Sequence, residues 1–215
     1  MTSLESLRQE YVTNGLDEAD VVADPIEQFD RWFSEMKNHV PGDWFEPNAM
    51  TLATSSPTGQ VTSRVVLLKI YDQDGFVFFT NYDSEKGIQI AENPQVALCF
   101  HWAVLQRQIR IEGTVSRVSD EISDTYFQSR PRGSQIGAVA SDQSQLLSNR
   151  SELAARAKEV EEKYAGQPVP RPANWGGYRV SPRKIEFWQG RENRLHDRLV
   201  YFQEANGWSL RRTAP

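Results

Sequence analysis

AMTLATSSPTGQVTSRVVLLKIYDQDGFVFFT, residues 49–80, decides the fold. Its stretches 49–55, 60–71 and 76–80 are rich in Val, Leu, Phe and Thr, the residues that suit a pleated, half-buried backbone. Pro57-Thr58-Gly59 and Asp72-Gln73-Asp74-Gly75 separate them as hairpin-type turns. Residues 96–102 and 106–118 read as two further strands, which makes an antiparallel meander belonging to a barrel or a sandwich. Strand character returns at 178–188, 195–202 and, after the Asn206-Gly207 turn, 208–211.

Helical signals flank this pattern. Asp24 offers an N-cap and Pro25 a first helical position, followed by Ile26, Phe29, Phe33 and Met36 at helical spacing. Residues 119–129 read as a short helix stopped by Pro131, and 148–164 as a longer polar one. Leu153, Ala157, Val160 and Tyr164 give the latter a narrow apolar stripe. GQPVPRP, residues 166–172, is a stiff loop, and the chain holds no internal repeat or low-complexity tract. The expectation is a mainly β chain with peripheral helices, of α+β class. It has an N-terminal segment over 1–22, and one domain over 23–215 with a helical insert at about 119–165.

Composition narrows the classes. The 215 residues carry 24 Lys+Arg against 29 Asp+Glu, a net charge of −5, with 39% hydrophobic residues, which is globular rather than disordered. Cys99 is the single cysteine, so no intramolecular disulfide or cysteine-based zinc cluster can form. No uncharged run approaches the roughly 20 residues that span a bilayer, and MTSLESLRQEY lacks the apolar core of a signal peptide. These features predict a soluble cytoplasmic protein, and the acidic total argues against general nucleic-acid binding. Nucleotide-type glycine loops, HExxH and GxSxG are absent. His39, His101 and His196 lack metal-ligand spacing, so no metal is expected.

The densest polar constellation is Arg194-Leu195-His196-Asp197-Arg198. On a regular strand Arg194, His196 and Arg198 share one face, which suits an anionic or heteroaromatic ligand; in isolation the preferred reading is a solvated strand face whose arginines pair with nearby acids. Arg64 and Lys69 stand five apart, so an unbroken strand points them to opposite faces, able to serve two anions. Tyr126 and Arg130 are helical neighbours, and Ser134 is placed to cap a following helix at 135–138. A hydroxyl, a guanidinium and a helix start together make a phosphate clamp. Lys86-Gly87, Gln108 with Arg110, Gln143-Ser144 and the strand-end Trp188 complete the set.

These motifs in their order resemble pyridoxine/pyridoxamine 5′-phosphate oxidase. The resemblance is carried by RVVLLK (64–69), FFTNYDSEKG (78–87), RQIRIEG (107–113), YFQSRPRGSQIGA (126–138), QS (143–144), WGGYRV (175–180) and EFWQGRENRLHDR (186–198), nearly the whole chain. It implies an FMN-binding split β-barrel and a homodimer with FMN between the subunits. It assigns FMN to Arg64, Val65, Val66, Leu67, Leu68, Phe79, Thr80, Lys86, Gln108, Gln143, Ser144, Trp188 and Arg198. Substrate phosphate goes to Lys69, Tyr126, Arg130 and Ser134, and the substrate ring to Arg194 and His196 as the catalytic pair. Arg8 and Tyr11 resemble part of the family's mobile cover.

The activity so implied is oxidation of pyridoxine or pyridoxamine 5′-phosphate to pyridoxal 5′-phosphate, with O2 consumed and H2O2 released. Glu85 departs from the arginine common in the family. An outward Glu85 removes one contact and is expected to weaken FMN retention somewhat. Val139 and Asp142 replace a more usual aromatic residue and lysine. The rival readings are another split-barrel flavin oxidoreductase, such as a phenazine-pathway oxidase or a deazaflavin-dependent reductase, and a non-catalytic FMN or pyridoxal phosphate binder.

Overall fold

The computed structural model describes Tyr11 and residues 15–215. Its main elements run α1 (Pro25–Lys37), β1 (Ala49–Ser55), β2 (Val61–Leu67), β3 (Ile70–Asp72), β4 (Gly75–Asn81), α2 (Glu85–Glu92), β5 (Gln95–Trp102), β6 (Arg107–Arg117), α3 (Asp120–Ser129), α4 (Arg132–Ala140), α5 (Arg150–Lys163), β7 (Trp175–Gln189), β8 (Asp197–Glu204) and β9 (Gly207–Arg212). The sheet path is β2-β1-β5-β6-β7-β4-β3, with β8 on β7 and β9 on β8. β4 pairs antiparallel with β7, setting Phe78 opposite Tyr178, and β7 pairs antiparallel with β8, setting Trp188 opposite Arg198. The chain is mainly β with helices, as read from the sequence. Among the described residues no helix is long and apolar enough to cross a membrane.

Two compact units divide the residues. The first takes the chain up to Leu52, with Ala97–Gly113 and Pro182–Pro215. The Asp24 carboxylate accepts from the Ile26 and Glu27 N–H groups to start α1, which buries Phe29, Trp32 and Met36. Phe29 lies against Phe100 with ring centroids 5.3 Å apart, and Trp32 meets Phe187 edge-on at 5.1 Å. The second unit takes Ala53–Val96 and Thr114–Ser181. Phe127, Ile136, Val169 and Trp175 form a core cluster there, against which Ala157, Val160 and Tyr164 lay the narrow stripe of α5. Asn149 starts α5 by accepting from the Ser151 and Glu152 N–H groups.

Three local expectations are corrected. The 60–71 stretch is two strands, because the chain breaks at Leu68-Lys69, where the Lys69 N–H donates to Val77 O at 2.9 Å. Ser134 does not cap a helix: α4 starts earlier, after Pro131, and the Ser134 N–H donates to Pro131 O at 2.8 Å within the first turn. Arg194 and His196 do not continue a strand face with Arg198. Asn193 and Arg194 adopt positive φ (54° and 60°) in a short turn, and β8 begins only at Asp197.

Candidate functional site

In the second unit a cavity of about 500 Å³ opens between β2, β4, α2 and the α3–α4 corner. Arg64, Val65, Val66, Leu67, Lys69, Phe79, Thr80, Lys86, Tyr126, Arg130, Ser134 and Gln143 all line it. The break after Leu67 decides this. It turns Leu68 into the core, 4% exposed, and brings Lys69 to the cavity that Arg64 also lines, overturning the opposite-face expectation. Leu68 thus lies off the cavity wall. Asn81, Pro131 and Trp175 line the cavity without having been singled out from sequence. Trp175 opens the quoted WGGYRV motif and could have been found there.

Neutral groups hydrogen-bond to Arg64 and Lys86 in this cavity. Arg64 donates to Thr54 Oγ1 at 2.6 Å and Thr62 Oγ1 at 2.5 Å, and both threonines donate on to Gln89 Oε1. The carboxylate of the exposed Glu85 stands 3.7 Å from Arg64. Lys86, 7% exposed, donates to Thr80 Oγ1, Ser84 Oγ and Gln143 Oε1 at 3.1–3.2 Å. Burial, and then the neighbouring Arg64, push its ammonium down to about 8, with Glu85 opposing. Arg130 lies 4.7 Å from the Trp175 ring, and its Nη1 is buried without a hydrogen-bond partner. Burial lowers the Arg130 pKa from its ordinary value. Phe79 stacks on Tyr126 at 3.9 Å. Ser144, at a positive φ of 74°, accepts the Glu85 N–H on its Oγ at 3.2 Å, at the start of α2.

The first unit holds the other predicted residues. Trp188 and His196 lie 4.7 Å apart, and Tyr11 meets both edge-on at 5.7 and 5.4 Å. The Arg191 N–H donates to His196 Nδ1 at 3.1 Å. A main-chain N–H only donates, so the neutral ring carries its proton on Nε2. Burial, and then Arg194, lower the His196 pKa, while Asp197 opposes. Arg198 grips the buried Glu186 with two hydrogen bonds of 3.0 and 2.9 Å. Gln108 sits on β6, on the face opposite the buried Ile109 and Ile111. Arg8 lies outside the described residues. Among the described residues no cluster of His, Cys, Asp or Glu could hold a metal.

Solved structures place this fold. PhzG from Burkholderia lata, in complex with tetrahydrophenazine-1-carboxylic acid, matches with a TM-score of 0.87 at 30% identity, over 94% of this chain and 98% of that one. A pyridoxamine 5′-phosphate oxidase-related, FMN-binding protein from Nostoc punctiforme matches in fold with a TM-score of 0.70 at 16% identity, over 89% and 97%. The fold is thus the split barrel of the pyridoxamine 5′-phosphate oxidase-like proteins. Sequence relatives narrow the class. The family model for pyridoxamine 5′-phosphate oxidase matches residues 37–164, and that for the pyridoxine 5′-phosphate oxidase C-terminal dimerisation region matches 175–215. Pyridoxine/pyridoxamine 5′-phosphate oxidases from Rubrobacter xylanophilus and Cupriavidus pinatubonensis are 54% and 52% identical. They align over 99% and 100% of this chain and 96% and 100% of their own lengths. The chain belongs to the pyridoxine/pyridoxamine 5′-phosphate oxidase family.

Proposed function

We propose that this protein oxidises pyridoxamine 5′-phosphate and pyridoxine 5′-phosphate to pyridoxal 5′-phosphate, using FMN and O2 and releasing H2O2. The observation that carries this reading is the cavity where Arg64, Lys69, Lys86 and Arg130 converge, with hydroxyls, an amide and aromatic faces as the partners of Arg64, Lys86 and Arg130. Phosphorylated ligands fit it. A phosphate would supply a direct counter-charge to buried Lys86 and an acceptor for Arg130 Nη1. Arg64 and Lys86, with Thr80, Gln143 and Ser144, would hold the FMN phosphate. Lys69, Tyr126, Arg130 and Ser134 would hold the substrate phosphate. The family resemblance adds Val65, Val66, Leu67, Leu68, Phe79, Gln108, Trp188 and Arg198 toward FMN, and Arg8, Tyr11, Arg194 and His196 toward substrate. The dimerisation region over 175–215 supports a homodimer, and the family resemblance adds FMN between its subunits.

FMN held by these residues would supply the redox chemistry, as hydride acceptor for the 4′ carbon and electron donor to O2; the alcohol would give the aldehyde directly, and the amine an imine that water hydrolyses with release of ammonia. The chain's own residues orient the reactant. Phosphate clamping fixes one end of the substrate, which turns the reaction into a matter of proximity. His196, with its proton on Nε2, is a neutral donor toward a ring substituent, and Arg194 adds positive charge beside it. PhzG marks the alternative of a carboxylated polycyclic substrate, but such a substrate would leave a phosphate clamp at Lys69, Arg130 and Ser134 without use.

The deciding assay is aerobic turnover of FMN-supplemented protein on each phosphate, following aldehyde and peroxide together. Aldehyde from at least one substrate with equimolar peroxide is the expected result. Bound flavin with no aldehyde from either would overturn the reading.

A further inference from the structure

We propose that Asp197 and Arg212 are positioning residues that fix the stem of the N-terminal segment, Gly15–Glu18, and so set Tyr11 against His196 and Trp188. The role of His196 toward substrate rests on the proposed function; the anchoring does not. Arg212 ends β9 and Asp197 begins β8, two strands of one antiparallel ladder. Every nitrogen of the Arg212 guanidinium is engaged. Nε donates to Glu18 Oε1 at 3.0 Å, Nη1 to Asp197 Oδ1 at 2.7 Å, and Nη2 to Leu16 O, Asp17 Oδ1 and Glu18 Oε2 at 2.8–3.1 Å. The Asp197 Oδ2 accepts the Leu16 N–H at 2.9 Å and Arg191 Nη1 at 3.3 Å.

One carboxylate therefore reaches both things that must be aligned. It holds the stem through Leu16, and it holds Arg191, whose own N–H fixes the His196 imidazole. Close passage is enforced at two glycines. Gly15 has a φ of +85°, and a Cβ there would collide with the Arg191 guanidinium; a Cβ on Gly190 would come within 2.8 Å of the Tyr11 ring. The ladder between β8 and β9 does not depend on the Arg212 side chain, since its pairing is main-chain to main-chain. Removing the guanidinium should release the stem and leave the sheet.

The test compares FMN-loaded wild type with Arg212→Ala, Tyr11→Ala and the double variant. Two readouts are taken: kcat and KM for the phosphorylated substrate, and the rate of trypsin cleavage after Arg8. Arg212→Ala should raise KM about tenfold with kcat and FMN content within twofold, and should speed cleavage at least fivefold. Tyr11→Ala should raise KM similarly, and the double variant should be no worse than either single one, because both remove the same arrangement. Multiplying KM effects, or an unchanged cleavage rate, would overturn the proposal. Glu18→Gln guards against a folding defect: lying off the sheet, it should speed cleavage in the same direction by a smaller factor, and no change there would also count against the anchor. If wild type turns nothing over, the cleavage arm still decides the anchoring while the oxidase reading falls on its own.

Discussion

Arg212 and Arg64 are both partly shielded arginines, with side chains 35% and 19% exposed, yet their surroundings differ in kind. Arg212 meets the carboxylates of Asp17, Glu18 and Asp197 within 3.1 Å. Arg64 meets two threonine hydroxyls, and the Glu85 carboxylate stands off at 3.7 Å. A carboxylate cancels the charge it pairs with, so the β8–β9 knot is a finished structural joint. Hydroxyls and amides orient a cation without cancelling it, which leaves a positive field in a partly desolvated cavity. The same contrast separates Arg198, gripped by Glu186, from Lys86, held by Thr80, Ser84 and Gln143.

If that distinction is functional, the two arginines should fail differently. Arg64→Ala removes charge-assisted hydrogen bonds worth about 1.5–3 kcal/mol each. It should weaken FMN binding at least a hundredfold in a fluorescence-quenching titration. Arg212→Ala in the same titration should stay within twofold of wild type. Equal losses from both would erase the contrast.

Much of the scaffold for this contrast could be read locally. The strand over 49–55 and the helix over 25–37 match their expectations because caps, turns and alternation are short-range signals. The break at Leu68-Lys69 could not be read, since it depends on the hydrogen bond from Lys69 to Val77 across the β3–β4 turn. The Thr54–Thr62–Gln89 support of Arg64 was equally hidden, because Gln89 lies 35 residues from Thr54 and 27 from Thr62. The convergence of Lys69, Arg64 and Arg130 on one cavity therefore needed the fold. Arg194 misled for a related reason: alternation assumes extended backbone, and two consecutive positive φ angles end it.

A titration sharpens the comparison at the lysine. The free site holds Lys86 at about 8, and a bound phosphate dianion favours the charged ammonium. FMN affinity should therefore be full below about pH 8 and fall about tenfold between pH 7 and 9.5. Folding without FMN should show the opposite sign. A lysine whose folded pKa lies below its ordinary 10.5 binds fewer protons folded than unfolded between those values, so its share of apo stability rises with pH from about 8. Denaturant unfolding and FMN titration at matched pH test both signs. An affinity that does not change across this range would remove Lys86 from the phosphate.

The smallest effect tests the Glu85 carboxylate beside Arg64. Glu85 starts α2, its side chain is 58% exposed, and its carboxylate lies 3.7 Å from Arg64. The side chain is exposed, yet its charge is close enough to compete with a phosphate for Arg64. Exposed pairs at such distances contribute about 0–1 kcal/mol, so Glu85→Gln should tighten FMN binding by roughly two- to fivefold at pH 7 and low salt. Glu85→Arg should tighten it further. The gain should shrink as ionic strength rises toward 0.5 M, because the competing charge is solvent-exposed. Working at pH 7 matters. Glu85 supports the charged form of Lys86, so its removal would lower that lysine further and offset the gain above about pH 8. A Glu85→Arg affinity equal to or below that of wild type at pH 7 would show that the carboxylate does not compete with phosphate for Arg64.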